Sequence, residues 1–214
     1  MSNKSQRVIN LQLVGCKDGL GKTSKMPCPS YSLSAHVCHT GKKLAEVRGS
    51  TCHDCYALKG RYNYPTVVAA HERRLATIHT PEWAPAMKVL IEETASAIGY
   101  FRWHDSGDLQ SSEHLDKIAW IARELPNIRF WLPTKESTLV RNWLLVNDKP
   151  ENLILRPSAP MIDGPAVPLR TRDGKMLPVA YVHRYKAPRA QVCPAPSQNG
   201  KCGDCRNCWT DEPV

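Results

Sequence analysis

Tyr100-Phe-Arg-Trp-His104, then Ser111 through Leu125, then Ile128-Arg-Phe-Trp-Leu132: these three stretches decide the fold class. The outer two are short and aromatic, the composition of half-buried strands. Between them Ser111 or Ser112 caps a helix that runs to Leu125, and Pro126-Asn127 stops it. Further along, residues 136–146 read as a helix, residues 152–155 as a strand and residues 179–182 as another. The alternation implies an α/β fold of parallel strands joined by helical crossovers.

In such sheets chemistry gathers at the carboxyl ends of the strands. Those ends are His104-Asp105-Ser106-Gly107-Asp108, Pro133-Thr134-Lys135-Glu136 and Arg156-Pro157-Ser158. All three are dense in charged and hydrogen-bonding groups. His104, Asp105 and Asp108 are the candidate catalytic residues. His104 and Asp105 could pair, with the imidazole as proton carrier or metal ligand; alternatively Asp105 caps the turn and His104 packs. Lys135 and Arg156 could hold a phosphate or carboxylate, or be ordinary surface charge. Arg102 and Trp103 alternate, so one faces inward, and an inward Arg102 needs an anionic partner such as Asp105.

Toward the N-terminus, Pro65 opens a helix over residues 65–79, and Thr80-Pro81-Glu82 opens a second that runs to Ile98 and ends at Gly99. His71, Arg73 and Arg74 read as a solvated face of the helix over residues 65–79. Residues 8–14 show the partial alternation of a strand. Residues 15–63 have no regular pattern, and metal ligation is one explanation for so long a loop. Gly15 to Thr23 imitates a phosphate-binding loop, but five residues separate Gly15 from Gly21 where the motif needs four. Pro27 and Pro29 also break the helix that should follow, so no nucleotide site is assigned. The chain divides into an N-terminal strand and Cys-rich loop (1–63), a βα core (64–185) and a C-terminal Cys-rich segment (186–214), read as one compact domain.

Nine cysteines fall into two groups. Cys16, Cys28, Cys38, Cys52 and Cys55 come early; Cys193, Cys202, Cys205 and Cys208 come late. In a reducing compartment such clustering points to metal rather than disulfides. Two residues between thiolates let one turn aim both sulfurs at a single centre, as Cys202, Cys205 and Cys208 do. Iron–sulfur clusters and zinc both use this spacing. Cys52-x2-Cys55 is half a site. It could belong to a zinc knuckle with Cys28 and Cys38, or to a cluster with three cysteines and one open iron. Cys16 reads as a free thiol.

The net charge of +9 suits a nucleic acid or an acidic surface as partner, although no run of Lys and Arg marks a nucleic-acid arm. A small molecule, or a phage or host macromolecule, is equally compatible. No apolar stretch approaches a membrane span, and residues 1–10 lack a signal core, so the expected location is cytoplasmic.

Cys52-His-Asp-Cys-Tyr-Ala-Leu-Lys-Gly-Arg-Tyr62, Phe101-Arg-Trp-His-Asp-Ser-Gly-Asp108, Phe130-Trp-Leu-Pro-Thr-Lys-Glu136 and Cys202-Gly-Asp-Cys-Arg-Asn-Cys-Trp209 together resemble the phage-encoded gene product 88 family. More distantly, Cys-x2-Cys-Tyr-Ala followed by βα units resembles the radical S-adenosylmethionine enzymes. That resemblance implies an incomplete (βα) barrel, with Cys38, Cys52 and Cys55 holding a [4Fe–4S] cluster at its mouth. It also implies that Ser106 and Gly107 lie where that superfamily touches the cofactor's amino group. Thirteen residues separate Cys38 from Cys52 where the superfamily has three, and His-Asp-Ser-Gly-Asp replaces its Gly-rich motif; both departures weigh against S-adenosylmethionine. The expectation is an iron–sulfur protein with one or two [4Fe–4S] clusters, the second on Cys193, Cys202, Cys205 and Cys208. Its competitor is a zinc-stapled basic protein that binds nucleic acid or a host component without catalysis.

Overall fold

The computed structural model describes residues 3–186, 188 and 190–214. Its centre is a five-stranded open sheet in sequential order: β1 (Gly21–Lys22), β2 (Pro29–Tyr31), β3 (Tyr100–Trp103), β4 (Arg129–Thr134) and β5 (Leu153–Pro157). β1 pairs antiparallel with β2, and every other pairing is parallel. The parallel α/β expectation therefore holds. The helices are α1 (Asn3–Leu13), α2 (His39–Ala45), α3 (Pro65–Thr77), α4 (Trp83–Ala95), α5 (Ser112–Glu124) and α6 (Ser137–Val146), with short 3-10 turns between.

Strand periodicity sorts the sheet into two faces. On one, Phe101 and Trp103 of β3, Phe130 and Leu132 of β4, and Leu153 and Leu155 of β5 are fully buried. They form one apolar core with Met87, Leu90 and Ile91 of α4, Leu115, Ile118 and Ile121 of α5, and Val140 and Leu144 of α6. Ser111 caps α5, its hydroxyl accepting the His114 N–H at 3.1 Å, and Pro65 occupies the first turn of α3. The opposite face carries Tyr100, Arg102, Trp131 and Arg156. The C-terminal segment covers it: Trp209 packs edge-on against Trp131 at 5.3 Å and Tyr100 at 5.5 Å, and its indole donates to the Phe101 carbonyl at 2.8 Å.

Two expectations about elements change. Residues 8–14 are not a strand but lie mostly in α1. Asn10, Leu11 and Val14 are buried, the three-to-four spacing of a helix face that packs on α4. Residues 179–182 form no strand; Ala180 makes a single parallel bridge to Ser158, beyond the end of β5. Among the described residues, no helix is long and apolar enough to cross a membrane.

Candidate metal centre

Cys38 stands at the amino end of α2. A buried carboxylate holds that helix against the end of β4: Glu136 accepts the Thr40 N–H at 2.7 Å and the Thr40 hydroxyl at 2.7 Å. Cys52 and Cys55 come from the turn that follows. Ser50 organises it, accepting the Cys52 and His53 N–H groups while donating to the Leu44 carbonyl. Thr51 ties the same turn to the segment after β5, its N–H donating to the Pro160 carbonyl at 2.9 Å. The thirteen residues between Cys38 and Cys52 are therefore a helix and a return turn.

The three cysteines line one cavity of about 240 Å3 with His104, Asp105, Asp108, Thr134, Lys135 and Ser158, at the carboxyl ends of the parallel strands. A Cβ on Gly41 would stand 3.6 Å from the Cys38 sulfur and 3.8 Å from the Cys52 sulfur, and only 3.0 Å from the Cys38 Cβ. Glycine keeps that space open. Burial pushes the Cys38 thiol far up, and the negative charges of Asp108, Cys55, Cys52 and Glu136 push it further. Burial also raises the Cys52 thiol, against the opposing charge of Lys135. Three thiolates so placed repel one another unless a cation joins them, which is the electrostatic condition of a metal site. Three thiols beside a space kept open by Gly41 are the donor set that a three-thiolate cluster would use. Among the described residues, no group of three or more His, Cys, Asp and Glu stands in metal-ligand geometry.

The strand-end residues divide between lining and bracing. Asp108 is buried, and its carboxylate accepts from the Thr134 hydroxyl at 2.6 Å and from the Leu109 and Lys135 N–H groups at 2.7 Å each. Burial raises it to about 6, against the pull of those donors. It laces the β3 loop to β4. Ser106 donates to the Leu33 carbonyl at 2.7 Å. Gly107, at φ +76°, lies so close to Leu33 that an added Cβ would meet it at 2.7 Å. Both line the cavity, yet their close contacts go to the β2 loop. The Lys135 ammonium donates to the Ala159 carbonyl.

His104 and Asp105 do not pair. Asp105 accepts from the Ser32 hydroxyl and from the Tyr62 hydroxyl at 3.5 Å, and its carbonyl accepts from Tyr56. His104 sits at φ +53°, buried against Trp103 and His114, with neither ring nitrogen hydrogen-bonded. Burial, then the Arg102 charge, holds it down at about 3, so it is a neutral imidazole. Asp105 therefore gives Arg102 no ion pair. The Arg102 guanidinium stacks on Trp131 at 4.3 Å and donates to the Met26 sulfur at 2.8 Å. Arg156 is neither surface charge nor a cavity residue. Fully buried, it donates to the carbonyls of Val179, Asn207, Thr210 and Glu212 at 2.7 to 3.1 Å and so clamps the C-terminal segment. His71, read as solvated, is buried and stacks on Tyr62. Glu136, Thr134, Tyr56 and Tyr62 were not singled out as site residues. The only signal for the first two was their place in the β4 end, and for the tyrosines their position just after Cys55.

The second cysteine group lies by the sheet face that carries Arg102 and Arg156. The Cys202 N–H donates to the Lys25 carbonyl at 3.0 Å, and Cys205 closes a turn onto the Cys202 carbonyl at 3.2 Å. Burial raises Cys208 to about 11, opposed by the charge of Arg156. Cys28, which the zinc-knuckle alternative joins to Cys38, Cys52 and Cys55, is buried on this side instead. Burial raises it to about 12, opposed chiefly by Arg102, while the Cys202 charge adds to the rise. Cys16 is buried beside Arg74.

Fold and site thus define an α/β protein with an open, mostly parallel sheet, one cysteine group at the carboxyl ends of its parallel strands and a second against the face that carries Tyr100 and Arg156. The chain belongs to the gene product 88 family, whose profile matches residues 5–211. No curated protein and no solved structure matches it.

Proposed function

We propose that this protein is an iron–sulfur protein whose principal centre is a [4Fe–4S] cluster held by Cys38, Cys52 and Cys55, with one iron left open toward the strand ends. The observation that carries this reading is the convergence of three thiols, from two separate segments, on one cavity at the carboxyl ends of parallel strands. A structural site closes four ligands around its metal, whereas three leave a position for chemistry. Such a cluster supplies one-electron redox or radical chemistry. The chain's own groups would position it: Glu136 seats the Cys38 helix, Ser50 shapes the Cys52 turn, and Lys135 offsets thiolate charge. Sequential strands with helices on one face also suit a partial (βα) barrel, the scaffold that the radical-enzyme resemblance implies. Cys202, Cys205 and Cys208 contribute to a second centre.

Purification without oxygen, followed by a visible spectrum and counts of iron, sulfide and zinc, tests the proposal. A broad visible band with matched iron and sulfide is expected, about four irons for one cluster or eight for two. Colourless protein with zinc alone would sink it and favour the zinc-stapled, nucleic-acid-binding reading suggested by the +9 charge. Adding S-adenosylmethionine to the reduced protein then asks whether the open iron takes that ligand.

A further inference from the structure

We propose that Cys28 is the fourth ligand of the C-terminal metal centre, with Cys202, Cys205 and Cys208, and that Cys193 stays outside it. This rests on the metal reading of the C-terminal cysteines. Cys202-x2-Cys205-x2-Cys208 supplies three thiolates from one compact loop, and a four-thiolate site then needs one remote cysteine. Two are in range and each precedes a proline, Cys28-Pro29 and Cys193-Pro194, so sequence does not choose between them. The fold does. Cys28 is 5% exposed, whereas Cys193 is exposed to solvent.

The loop before Cys28 is already fastened to the metal-binding loop. The Cys202 N–H donates to the Lys25 carbonyl at 3.0 Å, and the Lys25 side chain crosses Gly200 so closely that an added Cβ would meet its Nζ at 2.8 Å. Cys28 directly precedes β2, whose Ser30 pairs with Arg102 of β3, the strand that Tyr100 opens. Arg206, beside Cys205, lies over the Tyr100 ring at 5.5 Å. Two contacts of Lys25 thus fasten the loop before Cys28 to residues 200–202, and Arg206 reaches Tyr100 on the neighbouring strand. The metal would join the two ends of the chain across one face of the sheet.

The test compares the whole protein with its Cys28→Ser and Cys193→Ser variants, purified without oxygen, by metal content and mass spectrometry after iodoacetamide treatment. C28S is expected to lose the metal of one centre, and C193S to keep both. In metal-loaded wild type, Cys193 should alkylate and Cys28 should not; after chelation both should. The alkylation arm needs no variant and so survives a C28S chain that fails to fold. Loss of metal from C193S, full metal in C28S, or protection of Cys193 until chelation would each overturn the assignment. Wild type without any metal would overturn the metal reading itself, a result distinct from these.

Discussion

The two cysteine groups are held in opposite ways. Cys38, Cys52 and Cys55 stand on polar loops braced by side-chain hydrogen bonds, around a cavity open to solvent. The C-terminal group is pressed against the sheet by buried aromatic packing and by one arginine that collects four carbonyls. The first arrangement keeps space; the second removes it. A site meant for a reacting ligand needs precise but locally supported donors. A staple needs coupling to the global fold. The contrast teaches that the two cysteine groups can be disturbed separately.

The largest expected effect comes from Arg156→Met. It strands buried carbonyls and releases the C-terminal segment, at a cost of roughly 3–5 kcal/mol in denaturant unfolding. Metal at the C-terminal centre should fall with it, while the Cys38 centre still loads in the folded fraction. Loss of both centres together would break the comparison. Gly41→Ala should do the reverse. Its Cβ enters the space between the Cys38 and Cys52 sulfurs, so metal affinity at that centre should drop about 10–100-fold, the scale of losses near metal ligands. Thermal melting of the metal-free protein should hardly move. Glu136→Gln keeps the shape but removes the charge from the Thr40 contacts. We expect a loss of about 1–2 kcal/mol in chemical denaturation, and metal affinity weakened less than in Gly41→Ala.

A separate effect concerns pH. His104 is depressed to about 3 from an ordinary value of 6.5, and burial also pulls His114 well down. The unfolded chain then binds more protons than the folded one below pH 6.5, so stability is full above that value and declines as pH falls toward 3. Asp108 works the other way. Raised to about 6, it contributes stability present below 3.8 that is lost as pH rises through 6. Melts from pH 8 to 4 should show a net fall that His104→Gln makes shallower. An unchanged slope in that variant would remove His104 from the balance.

Much of this architecture was legible in the residues. The βα alternation, the Ser111 cap and the three polar strand ends are local signals, and the structure places the first two ends and Ser158 of the third around one cavity. α1 was not legible, because Val8-Ile-Asn-Leu-Gln-Leu satisfies two periods at once and only burial against α4 selects the helix. The roles of Arg156 and Cys28 were not legible either. Both depend on a C-terminal segment with no periodicity of its own, so nothing local announces which face it covers. His104 and Asp105 are adjacent in sequence and read as a pair. The left-handed turn at His104 sends the imidazole into the core and leaves the carboxylate to Ser32 and Tyr62.

The late covering of one sheet face has a consequence in time. A ribosome completes β5 at Pro157 but must add about fifty residues before Trp209 exists. At about 5–20 residues per second that takes roughly 3 to 10 seconds. Through that interval Tyr100, Trp131 and Ile154 await their cover on a nascent sheet. The protein thus passes through a sticky adolescence during synthesis, and chains that stall between residues 160 and 205 are the ones a cell's chaperones should hold longest.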